Sequence, residues 1–239
     1  MRLLDTNGGN LKLKKTAKHA GGNYRLAGLS LYPDPILCPG SKAADCMADC
    51  LKSAGRGAFS NVTDGRQKKA DFWHRDRAGF LDQLNSELFN FSRLCDKTGV
   101  RGAVRLNVLS DIDWENHGVP QNHPGLTFYD YTKRAIRLSD IRRPDNYSLM
   151  FSYSGHPAYR KQVTRALQTD CPVAVVFRVK AGEPLPAAFM GRPVIDGDIS
   201  DLVNVTAGPV IIGLRAKGRA RQSDSAFIVD PARAALVAA

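Results

Sequence analysis

Cys38, Cys46 and Cys50 fall within thirteen residues, in the pattern C-x7-C-x3-C. Thiolates are soft ligands suited to zinc or to an iron–sulfur centre. If residues 42–52 form a short helix, Cys46 and Cys50 lie one turn apart on a single face. The Pro39-Gly40 turn can then return Cys38 to them. Three thiolates are one short of a closed tetrahedral zinc site, so His19, His74 or Cys95 would complete it, whereas an open fourth position would serve substrate chemistry. The plain alternative is buried thiols that ligate nothing. The remaining cysteines, Cys95 and Cys171, lie far off in apolar stretches, and the total of five is odd. The first residues, MRLLDTNGGNLKLKK, carry no apolar leader core. A reducing, cytoplasmic location without a disulfide framework is therefore expected.

The elements that must position these side chains alternate in type. Residues 24–31, 103–109, 126–131, 147–153 and 172–179 are rich in Val, Leu, Phe or Tyr and have strand character. Shorter strand candidates follow at 194–195, 209–214 and 226–229. Residues 76–97 place Phe80, Leu81, Leu84, Leu88, Phe91, Leu94 and Cys95 at helical spacing, and Gly99 suits the C-terminal cap. Residues 64–75 extend that helix or form a separate one. Residues 133–141 and 157–169 are further helix candidates, the second with Pro157 in its first turn, and 232–239 is a small helix or a frayed end. Strands alternating with helices imply βαβ units, hence an α/β fold with a mainly parallel sheet, mixed at one edge where the later links are short. Residues 1–23 are polar, Gly-rich and basic, with Lys12, Lys14, Lys15, Lys18 and His19. They are expected to form a flexible arm ahead of a single α/β domain over 24–239.

Parallel sheets carry functional groups at the carboxyl ends of their strands. Beyond the cysteines, this rule selects Ser110, Asp111 and Asp113, then Asp130 and Lys133, Ser152 and Ser154, and Asp196 and Asp198 as candidates for holding a cofactor or substrate. Each has a structural alternative. Ser110 or Asp111 can cap a helix, Asp130 can belong to ordinary sheet packing, and Asp196-Gly197-Asp198 can be a turn. The formal net charge of +11 favours contact with DNA or RNA by counterion release. The basic arm would supply that contact, together with residues 215–221, where Arg215, Lys217, Arg219 and Arg221 alternate at strand spacing. The same alternation can protect a sheet edge. No apolar run is long enough to span a membrane. Walker-A, G-x-G-x-x-G, H-E-x-x-H, G-x-S-x-G and zinc-deaminase signatures are all missing. Oligomeric state has no signature in this sequence.

The segments CPGSKAADCMADC, VRLNVLSDIDWE, LTFYDYTKR, DNYSLMFSYSG, PVAVVF, VIDGDISD and VIIGLRAKGRAR together resemble the phage- and plasmid-borne gene product 88 family, a domain without an established role. The placement of three cysteines after the first strand, and of Ser110-Asp111 after the second, is also similar to radical S-adenosylmethionine enzymes. Those enzymes show C-x3-C-x2-C, so the spacing differs. That similarity implies a partial or distorted (β/α) barrel. It further implies a 4Fe-4S cluster on Cys38, Cys46 and Cys50, with S-adenosylmethionine beside it. On this basis an iron–sulfur protein with a radical-SAM-like barrel is expected. The alternatives are a zinc-stabilised (Zn2+) nucleic-acid-binding protein without enzymatic activity, and a host-directed interaction protein.

Overall fold

The computed structural model describes residues 1–6, 11–19, 22–53, 55–202 and 207–232. The chain divides into two compact units, each assembled from discontinuous stretches. Unit 1 comprises Met1–Cys38, Phe59–Asp130 and Ile141–Ser148, and unit 2 comprises Pro39–Ala58, Tyr131–Asp140 and the residues from Leu149 on.

Unit 1 is built around three neighbouring strands, β1 (Leu4–Asp5), β2 (Tyr24–Leu29) and β3 (Arg101–Arg105), with β4 (Leu126–Thr132) next to them. β1 pairs antiparallel with β2, whereas β2–β3 and β3–β4 are parallel, with Tyr24 opposite Arg101 and Gly102 opposite Leu126. Residues 1–23, read from the sequence as an arm, contribute β1 and helix α1 (Leu11–His19). Leu3 and Leu4 are buried, and the Glu87 carboxylate accepts from both of their backbone N–H groups at 2.8–3.1 Å.

Two helices, α2 (Ser60–Arg75) and α3 (Arg77–Lys97), connect β2 to β3. The junction has a local cause. Asp76 leaves helical geometry and its side chain accepts from Gly79 N at 2.9 Å, satisfying an otherwise orphan donor of the new helix. Of the expected stripe, Phe80, Leu84, Leu88, Phe91 and Cys95 are buried and Leu81 is half-buried, while Leu94 is 39% exposed and does not join them. α3 approaches β3 so closely at Gly102 that a Cβ there would press against Leu126, with Cys95 Sγ at 3.1 Å. Gly99, at φ 66°, makes the turn between them.

Unit 2 centres on β6 (Val173–Phe177). β5 (Tyr147–Ser152) pairs parallel with its first half, Phe151 opposite Val173, and β10 (Ile228–Val229) pairs parallel with its second half, Ile228 opposite Val176. On its other side lie β9 (Ile211–Arg215), β8 (Arg192–Asp196) and β7 (Ala188–Phe189), the last antiparallel to β8. Helix α4 (Arg160–Leu167) links β5 to β6. The strand path reads β1-β2-β3-β4-β5-β6-β9-β8-β7, ten strands with β10 placed off β6. The mainly parallel α/β expectation therefore holds. The antiparallel pairs sit at both ends of the path rather than at one, and the path has two ends instead of returning on itself.

Residues 42–52 do not form the helix that the cysteine spacing required. They make a succession of turns, and Asp45 sits at φ 51°, in the left-handed region where an α-helix cannot continue. The first helical geometry after them is a short 3-10 turn, Leu51–Ser53. Arg215 ends a strand, but Gly218–Arg221 is a 3-10 turn, so the alternation at 215–221 is not that of an extended edge. The helix candidate at 232–239 lies almost wholly outside the described residues.

Candidate functional site

In unit 1 the carboxyl ends of the parallel strands hold a buried hydrogen-bond network. The hub is Asn107, just beyond β3, which the sequence did not single out. Its Oδ1 accepts from Ser110 Oγ at 2.8 Å, Ile112 N at 3.0 Å and Trp114 Nε1 at 3.1 Å, and its Nδ2 donates to Ile112 O at 2.8 Å. Its backbone N donates to Asp130 Oδ1 at 2.7 Å, and Tyr147 Oη donates to Asp130 Oδ2 at 2.9 Å. All of these residues are buried.

Ser110 and Asp130 thus both hydrogen-bond to the Asn107 segment. Asp111 is buried as well, and its backbone N donates to Leu37 O at 2.7 Å. Asp113 accepts from Asn116 Nδ2 at 2.6 Å, bracing the 3-10 turn Trp114–His117. Trp114 in turn packs edge-on against Trp73 of α2, 5.3 Å between centroids.

In unit 2 the strand ends bring together Lys133, Ser152 and Cys46. Lys133 is 8% exposed, and its Nζ donates to Ser152 Oγ at 2.9 Å and lies 4.4 Å from the centroid of the Phe227 ring. Tyr159 Oη donates to Lys133 O at 2.6 Å and reaches Ser152 O at 3.1 Å, tying the two residues together from below. The loop 39–58 lies directly on Lys133: a Cβ on Gly40 would meet Lys133 Cβ at 2.7 Å. The same loop is pinned by Ser223 Oγ, which donates to Asp49 Oδ2 at 2.6 Å, and by Ser225 Oγ, which donates to Asp45 O.

Cys46 is buried within this loop, its Sγ 3.6 Å from Ser41 O and in hydrogen-bonding reach of Lys133. Burial pushes its thiol pKa up, and the Lys133 charge offsets only part of that rise; Cys50 and Asp45 add to it. A buried thiol held in its protonated form is a poor nucleophile. Native Cys46 is thus expected to alkylate at least about tenfold more slowly at mildly alkaline pH than in denaturant, read by peptide mass spectrometry. Equal rates would contradict the burial of this thiol. Among the described residues, no group of three or more His, Cys, Asp or Glu side chains is placed to hold a metal ion.

Ser154 is buried and accepts from His156 N at 3.2 Å, shaping the entry to α4. Asp196 and Asp198 close onto cations. Arg215 lies 2.8 Å from Asp196 and 3.5 Å from Asp198, and Lys217 lies 2.6 Å from Asp198. These partners hold the Arg215 guanidinium pKa up, the Asp196 hydrogen bond first among them. Gly197 between the two acids has no room for a side chain, because Ile212 and Leu214 occupy that space. Two of the four cations assigned to polyanion contact at 215–221 are thereby paired within unit 2, while Arg219 and Arg221 stay exposed.

The fold and these sites define an α/β protein with a mostly parallel sheet, and several of its strand-end polar groups hydrogen-bond or ion-pair with one another. The chain belongs to the Gene product 88 family, whose family model matches residues 2–231. Neither a curated protein nor a solved structure was found to match it. Among the described residues, no helix is long and apolar enough to cross a membrane.

Proposed function

We propose that this protein is a nucleic-acid-binding protein that acts through non-specific contact with the phosphate backbone. One observation carries the reading: a cationic excess that the protein's own acids do not neutralise. The whole chain has 34 Lys and Arg against 23 Asp and Glu. Unit 2 has 17 against 10, and several of those acids are engaged internally, among them Asp49 with Ser223, Asp201 with Tyr131, Asp196 and Asp198 with Arg215 and Lys217, and Asp224 with Arg178. Helix α4 presents Arg160, Lys161 and Arg165 to solvent while Val163 and Ala166 face inward. A helix with a cationic outer face and an apolar inner one suits contact with a phosphate backbone.

The test is a salt titration of binding to labelled DNA and RNA. Affinity is expected to fall linearly on a log–log plot, with a slope of roughly 0.7–0.9 per phosphate contact. A flat response would remove the reading.

The iron–sulfur alternative, with a radical-SAM-like barrel and S-adenosylmethionine, rests on cysteine placement in the sequence. It needs Cys38, Cys46 and Cys50 to converge on one cluster. Stoichiometric iron and sulfide in anaerobically purified protein would support it, and one zinc per chain would favour a stabilising Zn2+ instead.

A further inference from the structure

We propose that the corner of unit 1 formed by α1 and the starts of β2 and β3 binds an unpaired stretch of nucleic acid, with a base stacked at Tyr24–Arg101 and phosphate at the exposed last turn of α1. This inference rests on the nucleic-acid reading above and adds a type of strand and a contact site for it in unit 1, besides the α4 surface of unit 2.

Helix α1, LKLKKTAKH, contains five basic residues and no acid. It is anchored by Leu13 and Thr16, which are buried. Leu13 packs at Gly28 of β2, where an added Cβ would lie 2.7 Å from its Cδ1. Lys18 and His19 at the last turn are exposed. A lysine charge at a helix C-terminus is also favourable to the helix itself, so Lys18 there is compatible with a stable element.

The chain then turns through Gly22, at φ 79°, into β2. Tyr24 and Arg101 are register partners at the start of the parallel pair, and Arg101 N donates to Asn23 O at 2.9 Å. The Arg101 guanidinium lies 5.6 Å from the Tyr24 ring centroid, and its Nη1 donates to Tyr24 Oη at 3.2 Å. Arg101 is exposed and Tyr24 half-buried. The Leu13 contact at Gly28 puts α1 against the face of β2 to which Tyr24 belongs, since residues 24, 26 and 28 share one side of the strand.

A planar guanidinium held by an aromatic ring is a ready stacking surface, and the bases of a duplex are already stacked and cannot use it. The acid-free helix beside it supplies sequence-independent backbone attraction. A purely protective role for Arg101 at the strand start would need charge alone, which lysine provides as well.

The experiment compares the full chain binding a fluorescent oligo(dT) of about 20 nucleotides and a duplex of the same length, by anisotropy at one salt concentration. Unpaired strand is expected to bind at least about tenfold more tightly. Arg101→Lys keeps the charge and removes the plane, and it should erase most of that preference while leaving duplex affinity within about twofold. Tyr24→Leu keeps an apolar body in the half-buried position and should act in the same direction. Equal affinity for the two probes, or an unchanged preference in Arg101→Lys, overturns this inference while the phosphate-binding reading stands. Absence of salt-sensitive binding to either probe removes both.

Discussion

Asn107→Ala is expected to lower the unfolding free energy by about 3–5 kcal/mol, a large loss for the removal of one polar side chain. The asparagine side chain makes four hydrogen bonds, to Ser110 Oγ, Ile112 N, Ile112 O and Trp114 Nε1. Alanine would strand all four partners in surroundings that are 7% exposed at most. Each stranded buried group costs about 1–3 kcal/mol. Local relaxation and water entry keep the total below the simple sum. Ser110→Ala is the internal comparison, because it deletes a single donor and leaves Asn107 Oδ1 with two others, so it should cost about 1 kcal/mol. Urea denaturation measures both through the midpoint at constant m. A loss under about 1 kcal/mol for Asn107→Ala would mean that the loop after β3 is held by its apolar contacts, chiefly Trp114 against Trp73.

The importance of Asn107 was illegible in the sequence for a physical reason. A lone asparagine in LNVLSD looks like a polar interruption at the end of a strand, and no local pattern marks it as the acceptor for three donors. The neighbouring Ser110, Asp111 and Asp113 were visible because their position after a strand matched a rule about sites. That rule marks strand ends and says nothing about whether the groups there face a ligand or one another.

Helix α3 shows the opposite situation: Phe80, Leu84, Leu88, Phe91 and Cys95 repeat at helical spacing, and burial of that stripe alone specifies the element. The parallel strands were legible as apolar runs for the same reason. The cysteine loop was not legible, since KAADCMADCLK has ordinary helix formers. Its actual path depends on Ser223 and Ser225, more than 170 positions away in sequence. Lys133 and Ser152 were both named from the rim. Their contact, and the roles of Tyr159 and Phe227 beside them, came from strand adjacency that the sequence did not specify.

The second large effect is electrostatic. Reversing Arg160, Lys161 and Arg165 together to glutamate should weaken nucleic-acid binding on the order of 10²–10³-fold at about 0.1 M salt, and should reduce the salt slope by roughly 2–3 units. The substitution spares the fold. All three side chains are exposed, the packing of α4 rests on Val163 and Ala166, and two of the new acids would stand in the first turn, where they favour the helix dipole. Stability should therefore move by no more than about 0.5 kcal/mol per site. A matched variant reversing Lys42, Lys68 and Lys180, exposed lysines from separate segments, changes net charge equally without touching α4. If long-range attraction by the whole molecule governed binding, the two variants would lose affinity equally, because screening at this ionic strength acts on both sets alike. A greater loss from the α4 variant at the same net charge places direct phosphate contact on that helix, and equal losses would take the helix out of the binding surface.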